Sequence, residues 1–173
     1  MNMTVLQDFK ELPAAEAAPG KKKVHTKRKR INYFTCTLPA KSLNEGLARG
    51  IISSFCAQLD PTVEELCDMK TAISEAVTNC IVHAYPDSIG KITMRLRIID
   101  GEKLEITIKD RGRGIEDVQQ AMLPMYTTGG EERSGMGFTI MESFMDKLKV
   151  KSSGSKGTSV TMLRTIKQRK SPL

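Results

Sequence analysis

KITMRLRIIDGEKLEITIKD, Lys91–Asp110, alternates along its length: Ile92, Met94, Leu96 and Ile98 are apolar, while Lys91, Thr93, Arg95 and Arg97 between them are polar. Asp100-Gly101 supplies the dipeptide of a two-residue hairpin turn. Leu104, Ile106 and Ile108 then resume the alternation. A period of two with one apolar face describes a sheet buried on one side and wet on the other. Such a sheet is antiparallel, because a doubly wound sheet is covered on both faces and reads as continuous apolar runs. The hairpin therefore sets the fold class: α+β, a two-layer sandwich of a largely antiparallel mixed sheet with helices on one face.

Upstream, SEAVTNCIVHAY (Ser74–Tyr85) keeps a helical period, with Ile73, Ala76, Val77, Cys80, Ile81 and Ala84 on one apolar stripe. Glu75, Asn79 and His83 follow one another at four-residue spacing along the border of that stripe. A solvated helix face would more usually set Lys or Arg four residues after Glu. A carboxylate and a carboxamide one turn apart instead suit a wall that holds a metal or a hydroxyl group. His83 continues the line, and a packing or hydrogen-bonding role is expected for it. Asp60-Pro61 with Glu64 and Glu65 in the first turn opens this helix, and Pro86 ends it. Before it, Ser42-Leu-Asn-Glu45 reads as a capping box that opens a helix to about Gln58, and INYFTCTL (Ile31–Leu38) reads as a strand.

Downstream, two glycine-bearing stretches flank a helix-to-strand pattern. DRGRGIED (Asp110–Asp117) leaves the strand with Gly112 and Gly114 two apart, where backbone can approach a ligand and Asp110 offers an acceptor for an amino group. TTGGEERSGMGF (Thr127–Phe138) passes directly into a helix read over MGFTIMESFMDKL, so that Gly135 and Gly137 would bring backbone N–H groups to an anion. It lacks the P-loop signature and no parallel βαβ unit surrounds it, which excludes a dinucleotide fold. KLKVKS and TSVTMLR read as two further strands around SGSKG.

The chain of 173 residues is about one domain's worth, with 39% hydrophobic and 27% charged residues, as in globular proteins. No apolar run approaches the roughly 20 residues of a membrane span, and no signal-type segment opens the chain, so a cytoplasmic protein without a membrane partner is expected. Cys36, Cys56, Cys67 and Cys80 make no C-x-x-C pair and read as reduced core residues. The net charge of +7 is concentrated at the ends: residues 1–30 hold eight Lys or Arg against three Asp or Glu, mostly in GKKKVHTKRKR (Gly20–Arg30), and KQRK (Lys167–Lys170) adds to it. Without interleaved aromatics these read as solvated arms, and sequence-specific nucleic-acid binding has no support. The expected organisation is a disordered basic extension over 1–30, a folded domain over 31–166 and a basic tail over 167–173.

Taken in order, Glu75-x-x-x-Asn79 on a helix, Asp110-x-Gly-x-Gly114 after a strand, Gly135-x-Gly137 before a helix and Gly157-Thr158 opening the last strand resemble the GHKL ATPase superfamily, with its Bergerat ATP-binding fold. Within it, SEAVTNCIVHAYP, PMYTTGGEERSGMGFTIMESFMD and KSLNEGLAR resemble the anti-sigma F family of serine kinases from spore-forming bacteria, over roughly Ile31 to Thr165. The resemblance implies ATP and Mg²⁺ as cofactors. Asn79 would hold Mg²⁺, and Glu75 would face the γ-phosphate and take a proton from the attacking serine hydroxyl. Arg133 would stabilise the transferring charge. Asp110 would accept from the adenine amino group, with Thr158 nearby and Gly112 and Gly114 giving clearance. Thr127 and Thr128 belong to the lid over the nucleotide, and Ser134, Gly135, Met136 and Gly137 would donate backbone N–H groups to the phosphates. The family dimerises through its first strand and first helix, inhibits a sporulation sigma factor of RNA polymerase and phosphorylates a serine of an anti-anti-sigma protein. Glu45 and Arg49 match first-helix positions used at that partner surface, although four apart they equally form an intrahelical ion pair.

Two departures stand out. The basic extension Met1–Arg30 has no family counterpart, and Gly129-Gly130 occupies a place where relatives often carry a basic residue followed by proline. Alternatives are a nucleotide-dependent sigma-binding module without kinase activity, or a kinase serving a general stress-response sigma factor. Histidine kinases share the nucleotide motifs, but His25 lies in the basic arm and His83 inside the Asn79 motif, so phosphorylation on histidine is not expected.

Overall fold

The computed structural model describes residues 30–125 and 135–166; everything before Arg30, residues 126–134 and everything after Ile166 lie outside the described residues. Five strands, β1 (Arg30–Pro39), β2 (Lys91–Ile99), β3 (Lys103–Lys109), β4 (Lys147–Ser152) and β5 (Thr158–Thr165), form one sheet in the order β1-β2-β3-β5-β4. Each neighbouring pair is antiparallel, so the parallel component of a mixed sheet does not occur among the described strands. The alternation of β2 and β3 translates directly into burial: Ile92, Met94, Leu96, Ile98, Leu104, Ile106 and Ile108 lie in the core, and the residues between them face outward. Asp100 and Gly101 both take positive φ, 55° and 77°, and Glu102 N donates to Ile99 O at 3.3 Å, which closes the turn around the expected pair.

Helices α1 (Leu43–Cys56), α2 (Val63–Asn79) and α4 (Gly137–Phe144) cover the apolar face, with α2 packed between the other two. Ala48, Ile52, Met69, Ala72, Ile73, Ala76 and Met141 carry their stripes into one core with the sheet. A short α3 (Val118–Ala121) follows β3, begun by Asp117, whose Oδ1 accepts from Gln120 N at 2.9 Å.

Three local expectations need correction. Ser42 precedes α1 in helical conformation and its side chain caps nothing; the N–H groups of Asn44 and Glu45 go to the carbonyls of Lys41 and Ser42 instead, and the Glu45 carboxylate pairs with Arg49. The capping box lies at α2, where Thr62 Oγ1 accepts from Glu65 N at 3.1 Å and Thr62 N donates to Glu65 Oε2 at 2.8 Å. Helix α4 stops at Phe144 rather than running to Leu148, because Arg164 of β5 donates to the Phe144 carbonyl at 2.9 Å and Asp146 Oδ2 accepts from Thr165 N at 2.7 Å, drawing Met145 into extended backbone. Of the four cysteines only Cys56 and Cys80 are buried; Cys36 is half-buried and Cys67 exposed, so the core reading holds for two.

Candidate functional site

The helix that carries Glu75 and Asn79 does not stay α-helical to its end. After Asn79 the chain widens into a π-helical turn over Cys80–Ala84, with Tyr85 beyond it. Short π segments of this kind recur at functional sites, because the wider turn frees carbonyls and redirects side chains. Here the freed carbonyl is that of Ala84, which accepts from Arg113 N at 3.2 Å. Gly112 lies so close to it that an added Cβ would sit 2.2 Å from Ala84 O. Tyr85 completes the join: its hydroxyl accepts from Arg111 N at 2.8 Å and donates to Lys91 O at 3.0 Å. The segment after β3 is thereby stitched to the end of α2.

Asp110 sits at that seam, 3% exposed. Its Oδ1 accepts from Gly112 N at 2.9 Å and from Thr158 N at 3.1 Å, and the Cys80 thiol donates to Oδ2 at 3.7 Å. Burial pushes the carboxyl above the usual carboxylate range, while these donors pull it back down. Burial and the facing Asp110 carboxylate also push the Cys80 thiol well up, so it stays a thiol and a donor. Gly157, at φ 80°, passes so near that a Cβ would stand 2.4 Å from Asp110 O, and only glycine tolerates both that approach and that φ. Ser152, at the end of β4, ties the neighbouring pieces together: Oγ accepts from Ile115 N at 2.7 Å and lies 3.1 Å from Thr158 Oγ1.

At the other end, α4 begins against α2. A Cβ on Gly137 would lie 3.1 Å from Glu75 Oε2 and 3.4 Å from both Asn79 Oδ1 and Nδ2, so the first backbone of α4 rests directly on the carboxylate–carboxamide pair. The positive end of that helix thus points at the same spot as the two polar side chains. Between these ends runs a cleft of about 840 Å³, within the range of small-molecule sites. Glu75, Asn79, Asp110, Gly114, Gly135, Met136, Gly137 and Thr158 line it. The structure brings these together from four separate chain segments; Gly112 lies behind them, against Ala84. Thr127, Thr128, Arg133 and Ser134, with Gly129-Gly130, lie outside the described residues. His83 lines the cleft, half-buried, from within the π-helical turn.

Glu45 and Arg49 stand apart from the cleft on α1. They form the intrahelical ion pair, and Arg49 Nη1 also reaches Ser74 Oγ at 3.1 Å, one residue before Glu75. Cys80, Tyr85, Arg113 and Ser152 were not singled out as site residues in the sequence. Cys80 was hidden by its place on an apolar stripe, and Ser152 closes an alternating strand with no motif around it. The Pro86 stop next to Tyr85 was the one available signal that the helix end is a junction.

Carboxylate and carboxamide oxygens at one end are donors for a hard divalent cation, a helix N-terminus beside them suits phosphate, and a buried acceptor at the far end suits an amino-bearing ring. Residues 38–164 match the family described as histidine kinase-like ATPase domain. An anti-sigma F factor of Caldanaerobacter subterraneus subsp. tengcongensis is 54% identical over 136 residues, covering 78% of this chain and 94% of that protein. One of Clostridium perfringens strain SM101 is 53% identical over 128 residues, covering 73% and 91%. Among solved structures, the RsbU and RsbW domains of a Mycobacterium tuberculosis protein superpose with a TM-score of 0.60 at 18% identity. The match covers 80% of this chain and 34% of that one, and it bears on the fold alone.

Proposed function

The chain belongs to the anti-sigma F factor family and carries its histidine kinase-like ATPase domain, and on that premise we propose that it binds and inhibits a sigma-F-like RNA-polymerase sigma factor and, with Mg-ATP, phosphorylates a serine of the anti-anti-sigma antagonist. The observation that carries the reading is the meeting of Glu75 and Asn79 with the start of α4 in a cleft whose far end holds buried Asp110. The acting unit is residues 31–166, with 1–30 and 167–173 as basic extensions, and it works as a homodimer in the cytoplasm.

Asp110 Oδ1 already accepts from two backbone donors and Oδ2 only from the Cys80 thiol, so Oδ2 is the oxygen with capacity left for the adenine amino group. Gly135, Met136 and Gly137, which line the cleft, would donate backbone N–H groups to the phosphates, and Ser134, Thr127 and Thr128 are assigned to nucleotide binding by the family resemblance alone. The donor set fits Mg²⁺: Asn79 would hold it through its carboxamide oxygen beside the Glu75 carboxylate, and a Cβ on Gly137 would crowd the space at that pair. When bound, the cation neutralises phosphate charge. The Glu75 carboxylate accepts the proton of the substrate serine hydroxyl as the serine oxygen bonds to the γ-phosphorus; the bond from that phosphorus to the bridging oxygen breaks, and ADP leaves. Arg133 stabilises the charge that spreads over the transferring group. Glu45 and Arg49 meet the sigma factor, with Arg49 held in place by Ser74.

The test is transfer of label from γ-labelled ATP to a purified anti-anti-sigma protein of the same organism, with sigma capture measured in ATP and in ADP. Glu75→Gln is expected to keep ATP and to lose transfer by roughly 10²-fold or more. Bound ATP with no transfer by the wild-type chain would leave only the sigma-binding module.

A further inference from the structure

The described residues 30–125 and 135–166 hold sixteen Lys or Arg and fifteen Asp or Glu, a nearly neutral body by count. The sheet registers show that this near-neutrality is unevenly laid out. On the face turned away from the helices, Tyr33, Arg97, Glu105, Leu163 and Lys147 lie side by side across the five strands. The next row holds Thr35, Arg95, Thr107, Thr161 and Lys149, and the row after it Thr37, Thr93, Lys109, Ser159 and Lys151. Lys91 and Lys103 extend the face at its two ends, opposite Pro39 and Ile99. Eight cations thus share one surface with a single strand carboxylate, Glu105, which pairs with Arg97. Lys103 pairs with Glu102 of the turn.

Lysine on an edge strand ordinarily guards against unwanted pairing, which accounts for Lys147, Lys149 and Lys151 on β4. It does not account for Arg95 and Lys109, which lie on the interior strands β2 and β3. Apart from Pro39 and from Leu163 and Ile99, which are 9% and 5% exposed, the rest of the face is mostly hydroxyls, and its one aromatic, Tyr33, lies at the rim. Protein interfaces are depleted of lysine and enriched in aromatic anchors, whereas surfaces that hold nucleic acid through its backbone are strongly positive and polar. Hydroxyls and cations are the side chains that contact phosphate oxygens. The chain path adds to this: Arg30 opposite Ile99 and Thr165 opposite Lys103 put both ends of the described chain at one end of the face. The basic sequences Gly20–Arg30 and Lys167–Lys170 are therefore joined to the same end.

We propose that the outer face of the sheet binds the phosphate backbone of duplex DNA without reading its sequence. The function is additional to the nucleotide cleft, since none of these residues lines it. The full-length chain is titrated against fluorescent duplexes of two unrelated sequences over a range of salt, and the result expected is equal affinity for both with a linear fall of log K against log salt. Arg95→Gln, Lys109→Gln and Lys149→Gln combined should weaken binding about 10-fold or more at low salt and flatten the salt slope by roughly 2 to 3, near one per lost contact. Unchanged ATP binding and melting would show the variant folded. A second variant neutralises Lys21–Lys23 and Lys27–Lys29 with Gln and should retain the part of the binding that the face supplies. The proposal is overturned if the face variant binds DNA like the wild type, if neutralising the arm alone abolishes binding, or if poly-glutamate or phosphatidylserine vesicles bind as tightly at equal charge.

Discussion

Asp110 shows how much one side chain can be asked to do. Burial raises its pKa, so the folded chain holds that proton more tightly than the unfolded one. The stability it contributes is therefore fully present below the unfolded value and is lost as pH rises through the raised folded value. Recognition of an amino group runs the other way, because only the ionised carboxylate is a pure acceptor. Comparing wild type with Asp110→Asn across this acidic window, the stability advantage of wild type should grow as pH falls while its ATP affinity drops. The variant, measured by calorimetry, should bind ATP weakly with no such acid limb. A wild-type affinity that stays flat there would remove Asp110 from base recognition. Its candidacy was visible as a strand-end Asp followed by two glycines, the first of which, Gly112, donates to it; the Cys80 donor was not, since it lies on an apolar helical stripe, and the Thr158 N–H reaches Asp110 only through the register of β3 with β5.

Elements with strong periodicity were legible and their ends less so. The β2–β3 alternation predicted burial residue by residue, because a period of two leaves each side chain one choice of face. Helix starts depend instead on whether a side chain reaches a free N–H, and that rests on a single φ/ψ. Ser42 and Thr62 look alike in sequence, yet only Thr62 has extended backbone, ψ 163°, and reaches Glu65 N. Thr62→Ala should cost about 1 kcal/mol. For a chain of this size that is roughly 2–4 °C in Tm. Ser42→Ala should stay within about 0.5 kcal/mol. Thermal melts of the two variants decide it, and equal losses would mean that the capping geometry is not what stabilises α2. The early end of α4 was hidden for the same reason: the Arg164 donor that terminates it comes from the last strand.

For the molecule as a whole, the open edge at β1 matters as much as the cleft. Leu47 is 49% and Phe34 37% exposed, and with Ile51 and Phe55 they line a groove between β1 and α1. Apolar surface gathered on an edge strand and the helix above it is what the proposed homodimer would bury. Leu47→Lys should shift the chain toward monomer in sedimentation equilibrium at micromolar concentration, with ATP binding retained; a wild-type chain already monomeric there would remove the dimer from the proposal. The π-helical turn at Cys80–Ala84 has a consequence of another kind. A π-helical turn closes i→i+5 bonds where an α-helix closes i→i+4, so dropping Ile81 or Val82 would tighten it to ordinary α spacing and remove the widening that carries Tyr85 to Lys91 and Arg111. At this junction the chain is more vulnerable to a change in length than to a change in letter: losing the codon for Ile81 or Val82 would undo the seam while leaving intact every residue that lines the cleft.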